Sequence, residues 1–155
     1  MEANKLIELP DLSKEVKKKV IIHHPFIKKK PDSFLDLYRI EFDEELTRID
    51  FIGYPDTKKY DYGWWITIDR DSFIRPVGSE IKLKLVQAIG IPISPIKYYF
   101  ISSKHCLPYT LYFPALPKDT THIDIIEKEI PYQNYFNFYN VSLERVKRKP
   151  IIVGN

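Results

Sequence analysis

The hexapeptide TRIDFI at residues 47–52 recurs in altered form as THIDII at residues 121–126, 74 positions further along the chain. A Leu-Tyr dipeptide precedes each copy, at residues 37–38 and 111–112, and an aromatic run follows each copy, at residues 62–68 and 136–143. β-Branched and aromatic side chains favour strands because they pack well on a pleated surface. The pattern therefore predicts a strand–loop–strand unit that occurs twice in the chain.

Alternation and turn signals extend the strand prediction to most of the chain. The run KVIIHH at residues 19–24 is stopped by Pro25, which lacks the backbone donor that a sheet needs. Residues 38–42 and 81–85 alternate apolar and charged side chains with a period of two, so that in 81–85 the apolar residues are expected to face inward. Short strands at roughly 8–12-residue spacing are typical of an antiparallel β-sandwich or barrel. We therefore predict an all-β fold, an antiparallel β-sandwich with an internal strand–loop–strand repeat and no long helix.

One segment also resembles a known family. The sequence LYFPALPKDTTHIDIIE at residues 111–127, closing on FNFY at residues 136–139, resembles the C-terminal strands of immunoglobulin-like or telokin-like β-sandwich domains of bacterial proteins. The resemblance covers residues 109–143, and the first copy of the repeat less closely. It implies an immunoglobulin-like sandwich in a bacterial protein and no single function. The paired cysteines of immunoglobulin domains are absent, since Cys106 is the only cysteine.

Length and composition are those of one folded domain. The 155 residues include 44% hydrophobic and 14% aromatic residues, which excludes wholesale disorder. We expect a loose N-terminal lead-in at residues 1–15, a single sandwich domain at residues 16–146 and a basic tail at residues 147–155. A single cysteine excludes an intrachain disulfide and a cysteine-based zinc or iron–sulfur site. It favours a reducing compartment and thus a cytoplasmic location, or secretion if a leader peptide is removed. No apolar run is long enough to span a membrane.

Positive charge is concentrated near the two ends of the chain. The candidate basic patch consists of Lys17, Lys18, Lys19, Lys28, Lys29, Lys30, Arg145, Lys147, Arg148 and Lys149. Such a patch could bind the phosphate backbone of a nucleic acid, with nearby aromatic rings for stacking. Lysines along an edge strand also prevent edge-to-edge pairing of sheets, and this explanation stays open beside the first.

Residues that could carry chemistry do not form a recognisable catalytic pattern. Asp50 and Asp124 hold equivalent places in the repeat, where we expect each to face solvent or to accept backbone N–H bonds rather than to converge on one site. Adjacent residues of a strand point to opposite faces, so neither His23 with His24 nor His105 with Cys106 forms a chelating or nucleophilic pair. We expect Cys106 to be a buried, inert thiol. We predict no catalytic residue, no metal site and no cofactor, although a deep pocket with converging carboxylates would indicate an enzyme.

The remaining candidate is an aromatic cluster made of Tyr60, Tyr62, Trp64 and Trp65. Because Trp64 and Trp65 are consecutive in a predicted strand, one of them should enter the core and the other should face outward. Exposed Tyr and Trp residues at the end of a loop are a common binding surface. We therefore predict a non-catalytic module that binds a protein partner in a larger bacterial assembly. The alternative is a module that binds nucleic acid or phosphate through the basic patch, and sugar stacking on the aromatic rings is a lesser alternative.

Overall fold

The computed structural model describes residues 18–31, 34–56, 63–130 and 135–145, and these residues form strands and no helix. In chain order the strands are β1 (Val20–His23), β2 (Ile27–Lys29), β3 (Leu35–Phe42), β4 (Leu46–Gly53), β5 (Trp65–Ile66), β6 (Phe73–Pro76), β7 (Leu83–Lys84), β8 (Gln87–Ile89), β9 (Tyr98–Tyr99), β10 (Leu107–Pro114), β11 (His122–Ile126) and β12 (Phe138–Ser142). The all-β prediction is confirmed. The predicted lead-in and basic tail lie outside the described residues.

Two five-stranded antiparallel sheets form the sandwich. The first has the order β1-β3-β4-β10-β8 and the second the order β2-β12-β11-β6-β7. The two copies of the hexapeptide fall on β4 and β11, each the middle strand of its sheet. The strands around them are connected differently, because β3 and β4 form a hairpin within one sheet whereas β10 and β11 belong to different sheets. A small third sheet pairs β5 with β9.

The chain passes from one sheet to the other along both flanks of the sandwich. On one flank, the His24 N–H donates to Tyr38 O in the first sheet, and two residues later Phe26 O accepts from the Ser142 N–H in the second. On the other flank, the Leu85 N–H donates to Ser72 O, beside β6, and the next N–H, that of Val86, donates to Tyr112 O in β10. Continuous chain therefore bridges the two sheets at both pairs of outer strands.

The core lies between the inward faces of the two large sheets. Ile40, Ile49 and Phe113 of the first sheet and Ile74, Ile123 and Val141 of the second are fully buried. The Phe51 ring stacks on Tyr109, with 5.1 Å between ring centroids, and meets Phe138 of the opposite sheet at 5.7 Å. Burying an aliphatic or aromatic side chain of this size contributes roughly 1.5–3 kcal/mol. Packing across the sheets, rather than local preference, thus holds the strands in register.

Two strand predictions differ from the structure. Strict alternation at residues 81–85 predicts Ile81 in the core, but Ile81 is 51% exposed and the strand there is only Leu83–Lys84. Its partner β6 pairs with it at Phe73 and Ile74 alone, so among the described residues no strand pairs with Ile81. The second aromatic run, at residues 136–143, forms only the five-residue strand β12.

Candidate functional site

The third sheet presents an aromatic pair on its outer face. In the register of β5 and β9, Trp65 lies opposite Tyr99 and Ile66 opposite Tyr98. Because side chains alternate along a strand, Ile66 points into the core and is 3% exposed, whereas Trp65 and Tyr99 point outward and are 43% and 58% exposed. Trp64 is half-buried against the core. The two tryptophans thus divide as the sequence predicts, while Tyr60 and Tyr62 lie outside the described residues.

Polar contacts fix this sheet to the loops around it. The Thr67 hydroxyl lies 3.1 Å from Pro92 O and 2.6 Å from Ile96 O, and the Phe100 N–H donates to Trp64 O. The Tyr98 hydroxyl and His105 Nε2 are hydrogen-bonded at 2.6 Å. This bond ties the loop at residues 100–105 back onto β9. The aromatic pair is therefore displayed on a supported element.

Cys106 is exposed, so the prediction of a buried thiol is wrong. It lies in the irregular segment just before β10, which turns back from the third sheet to the sandwich. The neighbouring His105 is engaged with the Tyr98 hydroxyl through Nε2. No hydrogen bond joins the thiol to this imidazole in the described part of the chain, and the two residues do not form a nucleophile–base pair.

A pocket of about 390 Å³ opens beside the aromatic pair. Its aromatic walls come from Trp64 and Trp65 on one side and Tyr135 and Phe136 on the other. Its polar side chains include Asp69, Glu127 and Lys128. Mostly apolar concavities with a few converging polar groups are the usual form of a binding site. We refer to Trp65, Tyr99 and this pocket together as the aromatic surface.

The polar groups of the pocket are connected to one another. Lys128 Nζ lies 3.0 Å from Asp69 Oδ2 and 5.3 Å from the centre of the Tyr135 ring, and the bond to Asp69 raises the pKa of Lys128. The Asp69 N–H donates to Glu127 Oε2 at 3.3 Å. Burial raises the pKa of Glu127 to about 7, against the opposing effect of backbone N–H donors from Asp69 and Phe136. A half-buried acid that is easily neutralised therefore lines the pocket.

One lysine without an acidic partner, Lys97, stands at the rim of the aromatic surface. Lys97 Nζ lies 4.2 Å from the centre of the Trp65 ring, within the range of a cation–π contact. Lys104 precedes His105 in the loop that is tied to β9. Neither ammonium forms an ion pair with a carboxylate of the described residues. The sequence indicates a basic region here, because residues 81–118 contain five lysines and no Asp or Glu. The candidate basic patch does not include these lysines.

The two repeated aspartates do not meet. Asp50 accepts bonds from the Arg48 Nε at 3.1 Å and the Thr110 hydroxyl at 2.6 Å, on the face of the first sheet opposite Ile49 and Phe51. It is 1% exposed rather than solvent-facing, because β4 is a central strand and neighbouring side chains cover the carboxylate.

Asp124 lies in the other sheet, where it pairs with the Arg75 Nε at 3.1 Å. It also accepts the Asn140 N–H at 2.9 Å, a backbone contact of the kind that the sequence predicts. Each aspartate thus has its own arginine in its own sheet. Their arrangement is that of two structural ion pairs rather than of a shared catalytic centre.

The described members of the basic patch lie along one flank of the sandwich. Lys18 and Lys19 precede the outer strand β1, Lys28 and Lys29 lie in the outer strand β2, and Arg145 follows β12. Two members have contacts, Lys19 with Glu41 at 3.9 Å and Lys29 with the Tyr139 ring at 5.7 Å. Lys30 follows β2 directly. Lys17, Lys147, Arg148 and Lys149 lie outside the described residues.

Within the described ranges, no group of three or more His, Cys, Asp or Glu side chains is arranged to hold a metal ion. None of the described residues belongs to a helix that is long and apolar enough to cross a membrane. Comparison of the chain with models of protein families, with curated proteins and with solved structures gave no match.

Proposed function

We propose that the protein is a non-catalytic interaction module that binds a protein partner through the aromatic surface. The observation that carries this proposal is the outward-facing pair Trp65 and Tyr99, which lies next to a pocket. Trp and Tyr are enriched among residues that dominate binding energy, because they bury a large area while losing few rotameric states. Two such side chains on one supported face are therefore a suitable anchor for a partner.

The charged groups of the sandwich support a binding role over a catalytic one. Asp50 and Asp124 are engaged with arginines in different sheets, Asp69 is engaged with Lys128, and the pocket acid Glu127 accepts the Asp69 N–H. A general acid or base needs a free position within hydrogen-bond reach of a substrate. The proposal includes a bacterial, cytoplasmic assembly as the setting, and the immunoglobulin-like subtype of the sandwich stays a prediction.

The proposal is tested by capture from an extract of the native host. The wild-type chain is immobilised beside the Trp65→Ala and Tyr99→Ala variants, and retained proteins are identified by mass spectrometry at low and high salt. Phe26→Ala is the matched control, since Phe26 is 70% exposed but lies between β1 and β2 and does not line the pocket. We expect a protein that wild type and Phe26→Ala retain in high salt and that both other variants lose. A retained set that is the same for all four chains contradicts the proposal.

A nucleic-acid-binding role is the second candidate, supported by the lysines just before the outer strand β1 and in the outer strand β2. Phosphate contacts of this kind weaken steeply as salt is raised. The same lysines also fit protection of two sheet edges, and the two explanations predict different effects of removing them.

A further inference from the structure

We infer that the partner presents an acidic segment to the aromatic surface, with an apolar side chain in the pocket and a flanking carboxylate on Lys97. This inference rests on the proposed function and names the chemistry of the partner. It follows from three features of the described residues: the shape of the pocket, the sign of the charges at its rim, and the neutralisation of the acids inside it.

The pocket has the size and lining for one large apolar side chain. Its volume of about 390 Å³ lies near the lower end of the range for small-molecule sites, roughly 300–1,000 Å³. Trp64 and Phe136 supply two of its aromatic walls, and Trp65 continues the wall to the outer face. A Phe, Leu or Trp side chain of a partner would be enclosed by rings, while the neighbouring residues of that partner would cross Trp65 and Tyr99.

The rim of the aromatic surface favours a negative partner. The Lys97 ammonium is held over the Trp65 ring at 4.2 Å and has no carboxylate partner among the described residues. A carboxylate that reaches the Lys97 ammonium would form a charge-assisted hydrogen bond without displacing an existing ion pair. Complementary charge of this kind also speeds association and selects among partners.

The acids inside the pocket do not oppose such a partner. Lys128 neutralises Asp69 through a 3.0 Å contact. Glu127 is half-buried behind Asp69 and is neutral over much of the range up to about pH 7, because burial raises its pKa to that value. With Asp69 paired and Glu127 neutral over much of this range, the Lys97 ammonium on Trp65 carries a charge that has no carboxylate partner among the described residues.

The inference is tested by selecting phage-displayed random dodecapeptides on the immobilised full chain, after removing phage that bind the Trp65→Ala variant. We expect the selected peptides to contain one aromatic or large aliphatic residue flanked by Asp and Glu. Synthetic copies should lose about tenfold or more in affinity for Lys97→Glu. Lys84→Glu is the matched control, because Lys84 lies in the same acid-free stretch but on the outer strand β7.

Several results would overturn the inference. Peptides rich in Lys or Arg, peptides without charge, or a selection that yields no Trp65-dependent binder would each exclude an acidic segment. Equal losses for Lys97→Glu and Lys84→Glu would show a general effect of charge. Binding of a single-stranded oligothymidylate that disappears in Lys97→Glu would assign the surface to nucleic acid instead. Capture of a host protein that depends on Trp65 but not on Lys97 would leave the proposed function standing while removing this partner chemistry.

Discussion

Ionisation of the Glu127 carboxyl lowers the stability of the fold. Burial between the core residue Tyr109 and the pocket raises its pKa from 4.5 to about 7. The native state therefore holds this proton more tightly than the unfolded state does. The resulting stabilisation is fully present below about pH 4.5 and is lost as the pH rises through about 7, which over the whole window corresponds to roughly 3 kcal/mol.

We expect Glu127→Gln to remove this dependence, because an amide fills the same space and does not ionise. Urea unfolding at pH 5 and pH 8 should show a smaller fall in the free energy of unfolding for the variant than for wild type. Glu44→Gln is the control, since Glu44 is exposed in the turn between β3 and β4. A fall that is as large in the Glu127 variant as in wild type would refute the role assigned to this carboxyl.

Asp50 is the carboxylate whose removal should harm the fold most. It is buried and receives bonds from the Arg48 Nε and the Thr110 hydroxyl, with Arg39 at 4.0 Å. Asp50→Ala leaves these donors without their acceptor, and we expect a loss of about 2–4 kcal/mol. Arg48→Ala should cost less than about 1 kcal/mol, because Arg48 is partly exposed and Asp50 keeps its other partners. Equilibrium unfolding of the two variants at pH 7 checks the difference, and equal losses would contradict it.

At the scale of single elements, the end of β8 depends on a glycine. Gly90 has a φ of +87°, and a Cβ there would meet Pro108 O of β10 at 3.0 Å. Gly78 has a similar φ of +83° with no atom within 4 Å of the same position. Both Gly→Ala changes carry the cost of a left-handed backbone, about 1–2 kcal/mol, and Gly90→Ala adds the crowding against β10.

We therefore expect Gly90→Ala to lower the free energy of unfolding by about 2–3 kcal/mol and Gly78→Ala by about 1 kcal/mol. Chemical denaturation of the two variants gives the comparison directly. Since the backbone conformations match, the difference between the two values isolates the contact with Pro108. If Gly78→Ala proved the more damaging change, the close approach of β8 and β10 would not be the cause.

The sequence predicts where the strands lie better than it predicts which strands pair with one another. Alternation and β-branched residues place β4 and β11, and the adjacency of Trp64 and Trp65 gives the outward orientation of Trp65. The prediction for Ile81 is wrong because an alternating pattern does not show whether another strand covers the side chain. The position of Lys97 over Trp65 follows from the pairing of β5 with β9, which are far apart in the chain and carry no local signal for each other. The pocket adds residues from yet another segment, near Glu127, for the same reason.

At the scale of the whole molecule, the lysines of the basic patch mark one open flank. Lys28 and Lys29 are exposed in β2, an outer strand of the second sheet. Outer strands present unpaired backbone groups, and lysine discourages another sheet from pairing with them. We expect Lys28→Thr combined with Lys29→Val to cause dimers or larger species, which size-exclusion chromatography with light scattering would detect.

The control is the double variant Lys104→Thr and Lys118→Thr, which removes the same charge from loops. We expect it to keep the association state of wild type. The outcome also separates the two explanations of the basic patch. If the β2 variant keeps its association state but loses affinity for an oligonucleotide in a salt-dependent manner, the lysines serve nucleic-acid binding and edge protection is excluded.

The absence of Asp and Glu from residues 81–118 has a practical corollary for mapping contacts by chemistry. Carbodiimide reagents join an amine to an activated carboxylate with no spacer, and this stretch offers amines alone. A zero-length link from Lys97 or Lys104 must therefore end on an acid from elsewhere, either in the same chain or in a bound molecule. Links that arise only on mixing with a second protein would report, residue by residue, where that protein's acids touch.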